Sequence, residues 1–208
     1  MEHQAIAASL SASACCCSCS LPFHWCCSSI LKACGRGEEW IFVRFRDHHY
    51  FRGDDILHIS FEELHQLYHM DALDKSIISS FCLLQMSELQ RIQDTSVGFI
   101  DPYIVFKTDI IAKEQWVSEA QKNIMMFFMK QHDKTTILFS YNFEFHWILI
   151  VIDLNSSRLV ILNSLRKERA LYQDMIDIIQ GVWKEFIRQH RKDCKAPLNV
   201  VEIPWCLR

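Results

Sequence analysis

Hydrophobic positions from residue 38 onward repeat with two periods, and each period predicts one kind of element. Apolar residues that recur every three or four positions predict helices over 60–70, 72–89, 112–131 and 168–193. Runs rich in Val, Ile, Leu and aromatic residues predict strands over 38–45, 135–142 and 198–203, and a hairpin over 146–165. Helices, then strands, then a helix and a last strand are typical of an α+β protein.

Single residues predict where these helices begin and which side faces the core. Ser60, with Glu63 three positions later, predicts a capping box at the first helix, and Asp71 and Asp74 repeat that spacing before the second. Asp101-Pro102 predicts a turn or an extended loop. We expect core stripes on the two long helices, made of Trp116, Ala120, Ile124, Phe127 or Phe128, and of Leu171, Met175, Ile178, Val182 and Phe186.

The hairpin "HWILIVIDLNSSRLVILNSL" begins with His146 and carries Asn163 near its end. If Asn155 and Ser156 form a two-residue turn, Ile148 lies opposite Asn163. His146 and Asn163 then share one face as diagonal neighbours roughly 7–8 Å apart at the backbone, within reach of a side-chain hydrogen bond. A three-residue loop would place Asn163 on the other face, so this inference depends on the turn.

A histidine held by an amide or a carboxylate is the orienting half of a nucleophilic triad, whose third member is a Cys or a Ser. The alternative is structural: His146 then ends a buried strand with a satisfied hydrogen bond and has no chemical role. The hairpin alone leaves both interpretations open.

Composition excludes several classes of function. The 208 residues suffice for one domain with a real core, since half of them are hydrophobic. A formal net charge of -3 gives no basic surface for nucleic acid, so we expect no nucleic-acid partner. The longest apolar runs, such as 147–152, fall far short of the roughly 20 residues of a membrane span, so we expect no membrane insertion.

The ten cysteines are unevenly distributed, with seven of them between Cys15 and Cys34 in a Ser- and Ala-rich segment. Adjacent cysteines do not form the paired C-x-x-C ligands of a zinc site, so we expect no metal and interpret residues 1–37 as a disordered leader. This segment also lacks the basic start of a secretory signal. The sparse cysteines of residues 38–208 favour an intracellular, reducing compartment, the nucleus or the cytoplasm.

The chain from Phe61 to Arg208 resembles the ubiquitin-like-protein-specific cysteine proteases of the SUMO-protease type, especially members associated with plant transposable elements. The resemblance rests on "HMDALDKSIISSFCLL", "VGFIDPYIV", "ILFSYNFEFHWILIVIDL" and "LVILNSL" followed by "ALYQDMIDII". It implies a papain-like fold with a mixed central sheet flanked by helices. The domain over 38–208 would then be partial and incomplete at its C-terminus.

The resemblance also assigns roles to residues. His146 matches the general base, Trp147 matches the aromatic residue that contacts the substrate tail, and Asn163 stands where the family usually has the orienting aspartate. The implied partner is a ubiquitin-like protein, SUMO or a relative, or its conjugates, with hydrolysis after a Gly-Gly tail. We expect a monomer that needs no cofactor.

Two elements of the family are missing from the sequence: the oxyanion-hole glutamine and a nucleophile in an Asp-Cys-Gly or Glu-Cys-Gly element at a helix start. Cys206 lacks the following Gly, Cys194 is typical of a surface thiol, and Cys82 of a core residue. A tryptophan that roofs the tail-binding tunnel in the family is replaced by Ala72, which leaves SUMO specificity unsupported. We therefore predict a truncated, inactive peptidase chain.

Two other functions compete with a peptidase. The chain can be a non-catalytic module or a transposon-derived relic that retains only a surface for a ubiquitin-like protein. A metal hydrolase would start from His65 and His69, which lie four apart on one helix. Without the H-E-x-x-H glutamate or a third ligand, ordinary helix histidines are favoured.

Overall fold

The structure, a computed structural model, describes residues 35–44, 56–105, 112–191, 194 and 197–203. The predicted leader over 1–37 therefore lies almost wholly outside the described residues, as does Cys206. Contacts divide the chain into two compact units, residues 1–45 with 55–80 and residues 46–54 with 81–208. Within the described ranges, no helix is long and apolar enough to cross a membrane.

Four helices and seven strands make up the described part of the chain. The helices are α1 (Phe61–His69), α2 (Lys75–Arg91), α3 (Lys113–Lys130) and α4 (Gln173–His190). The strands are β1 (Trp40–Arg44), β2 (Ile56–Ser60), β3 (Val97–Ile100), β4 (Thr136–Phe143), β5 (His146–Asp153), β6 (Arg158–Leu162) and β7 (Asn199–Ile203). Short 3-10 turns occupy Pro102–Val105 and Arg169–Leu171.

The first unit pairs β1 with β2 in an antiparallel ladder that ends where α1 begins. The predicted capping box is confirmed: the Ser60 hydroxyl accepts the Glu63 N–H at 3.1 Å, and the Glu63 carboxylate accepts the Ser60 N–H at 2.7 Å. At α2 the cap is Asp74, which accepts the Ser76 N–H at 2.8 Å, because the helix begins only at Lys75. The prediction that Asp71 takes part in that cap is wrong.

The second unit contains a five-stranded sheet in the order β3-β4-β5-β6-β7. The outer pairs, β3 with β4 and β6 with β7, are parallel, while the two inner pairs are antiparallel. This mixed sheet with helices confirms the predicted α+β class. The break at Asp101-Pro102 is followed by a 3-10 turn, but strand β3 just before it was not predicted.

The central hairpin has the register that the sequence predicted, with a longer loop. The ladder runs from Leu149 opposite Leu162 to Asp153 opposite Arg158, which leaves a four-residue loop over 154–157 instead of two residues. Asp153 Oδ1 accepts the backbone N–H groups of Asn155 and Ser156 at 3.1 and 2.9 Å. At its loop end the ladder lacks only the predicted pair of Leu154 with Ser157, so the faces on which the side chains of both strands lie are unchanged.

One buried face of the sheet and the apolar sides of α3 and α4 form the core. The side chains of β4 and β5 alternate between buried and half-buried along their whole length. The α3 stripe is buried as predicted. In the α4 stripe Leu171 is wrong, since the helix starts at Gln173 and Leu171 lies exposed in the preceding 3-10 turn.

A buried glutamine completes the hydrogen bonding of strand β3. The Gln131 side chain, 3% exposed, accepts the Phe99 N–H through Oε1 at 2.8 Å and donates from Nε2 to the Phe99 carbonyl at 2.9 Å. Residue 98 must be glycine for this fit, because a Cβ there would lie 2.1 Å from Gln131 Oε1. One side-chain amide thus satisfies two backbone groups that are remote in sequence.

We expect Gln131→Leu to lower the free energy of unfolding by about 1–3 kcal/mol, because it leaves the Phe99 N–H and carbonyl without partners in the interior. Urea unfolding measures this change. The control is Gln115→Leu on the same helix, where the side chain is exposed and its bond to Glu119 faces solvent. Equal effects of the two substitutions would contradict the role given to Gln131.

Candidate active site

A tight turn places His146 at the start of β5. Glu144 and Phe145 both have positive φ, 46° and 60°, which is the backbone of a type I′ hairpin turn. This conformation is unusual for two residues that are not glycine, and such strain is concentrated at functional sites. The turn brings Phe143 opposite His146 as the last pair of the β4–β5 ladder.

His146 and Asn163 meet on the buried face of the sheet. The imidazole Nε2 lies 3.0 Å from the Asn163 Oδ1, and the two residues are 7% and 6% exposed. The expectation that they share a face and form a hydrogen bond is confirmed, because the hairpin keeps the predicted register. The bond spans 17 residues of sequence and ties the first residue of β5 to the residue after β6.

The second hydrogen bond of Asn163 determines which tautomer the histidine adopts. Asn163 Nδ2 donates to the Lys167 carbonyl at 2.9 Å, so the amide oxygen is the atom that faces the imidazole. A carbonyl oxygen only accepts hydrogen bonds, so His146 Nε2 must carry the proton. Nδ1 is therefore the imidazole nitrogen that has a lone pair available for a proton.

Aromatic rings hold the imidazole in place. Phe143 meets His146 edge to face, with centroids 5.5 Å apart and an interplanar angle of 89°. The ring of Tyr172, which is fully buried, also packs against Phe143, with the two ring centroids 5.1 Å apart. These two contacts were not predicted, because both rings have the pattern of ordinary core residues.

Trp147 follows His146 but occupies the other side of the strand. Its side chain is half-buried, in the alternation that runs along β5, so it points away from the face that carries the His146–Asn163 pair. Ala72, which stands where the family has a tryptophan according to the resemblance, is exposed and belongs to the first unit. The substrate-contacting role of Trp147 stays a prediction.

The described cysteines do not complete the triad at His146. The prediction of a surface thiol at Cys194 is wrong, because the side chain is half-buried, donates from Sγ to the Leu154 carbonyl at 3.3 Å and packs against the core. Leu154 lies just beyond the far end of β5, and eight residues of extended strand separate the two sites by roughly 26 Å. Cys82 is buried, as predicted for a core residue.

The two helix histidines singled out as metal ligands lie side by side on α1. The rings of His65 and His69 are 4.2 Å apart at their centroids. Over the part of the chain that the structure describes, no three His, Cys, Asp or Glu side chains form a group that could hold a metal ion. The geometry therefore offers no third ligand there.

Comparison with protein families gives one match over most of the chain. The model described as "Ulp1 protease family, C-terminal catalytic domain" matches residues 54–203. This range includes His146, Trp147 and Asn163. A comparison with curated protein sequences gives no match.

Solved structures of SUMO proteases have a similar fold. One is the SUMO protease Ulp1 with its catalytic cysteine oxidised to a sulfinic acid, 14% identical, with a TM-score of 0.51 over 73% of this chain and 65% of that chain. Another is the Ulp1 protease domain in complex with Smt3, the yeast ortholog of SUMO, 14% identical, with a TM-score of 0.50 over 80% and 68%. A third, a de-sumoylating protease, is 13% identical, with a TM-score of 0.52 over 80% and 65%.

These likenesses concern the fold, and they confirm the predicted protease-type α+β architecture. The chain spans 65% of the length of the first of these structures, slightly less than two thirds. The region around the hairpin of β5 and β6 thus belongs to a fold in which a protease site is known.

We expect ¹⁵N NMR of the imidazoles, recorded above their titration range, to show the Nε2–H tautomer for His146. His132 serves as an internal control, because its Nδ1 lies 2.9 Å from the Met129 carbonyl and so must carry the proton. Asn163→Leu removes the acceptor and should leave His146 in a mixture of both tautomers, with His132 unchanged. An Nδ1–H tautomer at His146 in the unaltered protein would refute the assigned hydrogen bonds.

Proposed function

Because the chain belongs to the Ulp1 protease family, we propose that it is a cysteine-type peptidase domain that recognises a ubiquitin-like protein, of the kind that hydrolyses the bond after the Gly-Gly tail once a nucleophile is supplied. The observation that carries this proposal is the buried His146–Asn163 pair, whose hydrogen bonds leave His146 Nδ1 as the basic nitrogen. Solved members of this fold act as SUMO proteases, and one is bound to Smt3. These relatives support a ubiquitin-like protein as the partner.

In the proposed mechanism, His146 Nδ1 takes the proton of a cysteine thiol, and the thiolate attacks the carbonyl carbon after the Gly-Gly tail. The same nitrogen then gives the proton to the leaving amine, and water hydrolyses the thioester. Asn163 keeps the imidazole in the required tautomer. An amide stabilises the imidazolium less than a carboxylate does, so the pair is a weaker base than the usual His–Asp arrangement.

We propose that Trp147 contacts the substrate tail. Trp147 directly follows the base and offers the tail a half-buried apolar surface on the other face of β5. We propose that the target is a ubiquitin-like protein, SUMO or a relative.

The nucleophile is the part of the mechanism that these 208 residues do not supply. The sequence contains no Asp-Cys-Gly or Glu-Cys-Gly, and Cys194 lies at the wrong end of β5. We propose that residues 38–208 form a partial protease domain behind a leader over 1–37. As a separate chain it binds its partner but does not hydrolyse it.

A second function follows from the same observation. A site with a base and an orienting residue but no nucleophile in reach can serve as a binding module for ubiquitin-like proteins, as a transposon-derived relic would. Affinity that survives His146→Ala, without turnover in any form of the protein, distinguishes this function from the peptidase.

We expect ubiquitin-like proteins with a C-terminal electrophile to label an extended protein and leave the 208-residue chain unlabelled. The extension carries the family's glutamine and Asp-Cys-Gly elements after Arg208. Labelling requires a thiolate activated beside His146, so His146→Ala should abolish it. Gel shift or intact mass measures the adduct.

The control for this experiment is His132→Ala, which removes an exposed histidine just before the start of β4, at the end of the strand away from His146, and should leave labelling of the extended protein intact. Labelling of the unextended chain that disappears with Cys194→Ser or Cys206→Ser would overturn our placement of the nucleophile. No labelling of the extended protein, with binding intact, would favour the binding module.

A further inference from the structure

The Tyr172 hydroxyl is buried next to the candidate site without a hydrogen-bond partner. Among the described residues it is the buried side-chain oxygen that lacks one, and Tyr172 is 0% exposed. Leaving a buried donor unpaired lowers a folding equilibrium constant by about fivefold or more. A phenylalanine would avoid this cost, so the hydroxyl calls for an explanation.

The sheet register puts a carboxylate on the same face. Glu202 of β7 lies directly opposite Ile161, and Ile161 and Asn163 are two positions apart on β6 and its continuation. Residues opposite each other in a parallel pair share a face, as do residues two apart. Glu202 and Asn163 are therefore diagonal neighbours on the face that also buries Tyr172.

Both Asn163 and Glu202 affect the pKa of Tyr172. Burial raises the pKa of the Tyr172 phenol, hydrogen bonding by Asn163 lowers it, and the negative charge of Glu202 raises it. The hydroxyl thus lies between an amide and a carboxylate, close to both, without a well-formed bond to either.

Asn163, Tyr172 and Glu202 can form a hydrogen-bond chain in one direction only, with donation from the amide to the phenol and from the phenol to the carboxylate. Asn163 Nδ2 has two hydrogens, of which one goes to the Lys167 carbonyl. The second is free to donate to the Tyr172 oxygen. The phenol can then donate its own hydrogen to Glu202, since a carboxylate only accepts.

We propose that Tyr172 is a positioning residue that joins Asn163 to Glu202 in a hydrogen-bond chain running from His146 Nε2–H through the amide and the phenol to the carboxylate. Small side-chain rotations close the chain and satisfy the orphaned hydroxyl. Each link polarises the next, so Glu202 supplies at a distance part of the negative charge that an asparagine lacks. The inference rests on the proposed function only in giving the imidazole a catalytic use.

Other charged residues near Tyr172 and Glu202 determine how strongly the Glu202 charge acts on the hydrogen-bond chain. Arg169 lies 3.5 Å from Glu202, and both side chains are partly exposed, so their attraction is screened by solvent and offsets only part of the carboxylate charge. Other charged residues on neighbouring elements are Glu144 in the β4–β5 turn, Arg166, Lys167 and Glu168 after β6, and Asp174 at the start of α4. None of these belongs to the proposed chain.

The test combines unfolding with hydrogen exchange in the full chain. We expect Tyr172→Phe to raise the unfolding equilibrium constant about two- to tenfold and to speed solvent exchange of the His146 Nε2–H by a similar factor. Glu202→Leu, which removes the acceptor of the phenol hydrogen, should do the same in the unaltered background and nothing further when Tyr172 is already Phe, because both substitutions remove the same chain. Tyr141→Phe, a buried hydroxyl on β4 outside the chain, should leave the His146 exchange rate unchanged.

Two outcomes would overturn the proposal. If the hydroxyl is simply orphaned, Tyr172→Phe lowers the unfolding constant, because an unpaired donor is removed. If the two substitutions act additively on exchange, Glu202 acts through space and Tyr172 carries no link. Neither readout requires turnover, so the chain of bonds can hold in a protein that hydrolyses nothing, and electrophile labelling tests the proposed function separately.

Discussion

The side-chain amide of Asn163 is the constraint on which the site depends, because both of its ends are occupied by different parts of the fold. Its nitrogen is bound to a backbone carbonyl four residues later, and its oxygen is bound to the first residue of β5. A flip of the amide would break both bonds at once. The orientation of the histidine ring is thus determined by the backbone of the loop after β6.

Most of this arrangement could be predicted from the hydrophobic pattern, because side chains alternate between the two faces of a sheet and an even-numbered loop does not change which of them share a face. Alternating apolar residues fix which side chains of β5 and β6 share a face, and any loop with an even number of residues preserves that relation. The loop has four residues where two were predicted, yet His146 and Asn163 form the predicted hydrogen bond. Capping of α1 was predictable for a similar reason, since the capping box is a local signal.

Other features could not be predicted because they depend on groups that sequence does not display. The Lys167 carbonyl is a backbone atom, so no residue type marks it as the acceptor that orients Asn163. Strand β3 has only four residues, too few for a clear period, and Leu171 follows the helical pattern although the helix starts two residues later. Glu202 reaches the candidate site only through the parallel pairing of β7, which joins residues distant in sequence.

The bidentate contact of Gln131 with Phe99 also affects how molecules of this protein meet one another. Strand β3 is the outermost strand at its side of the described sheet, and the backbone groups of such strands are ready to pair with another chain. The amide occupies both groups of Phe99 in the middle of a strand only four residues long. A foreign strand would have to displace a buried side chain first, so Gln131 acts as a gatekeeper against β-sheet aggregation at that edge.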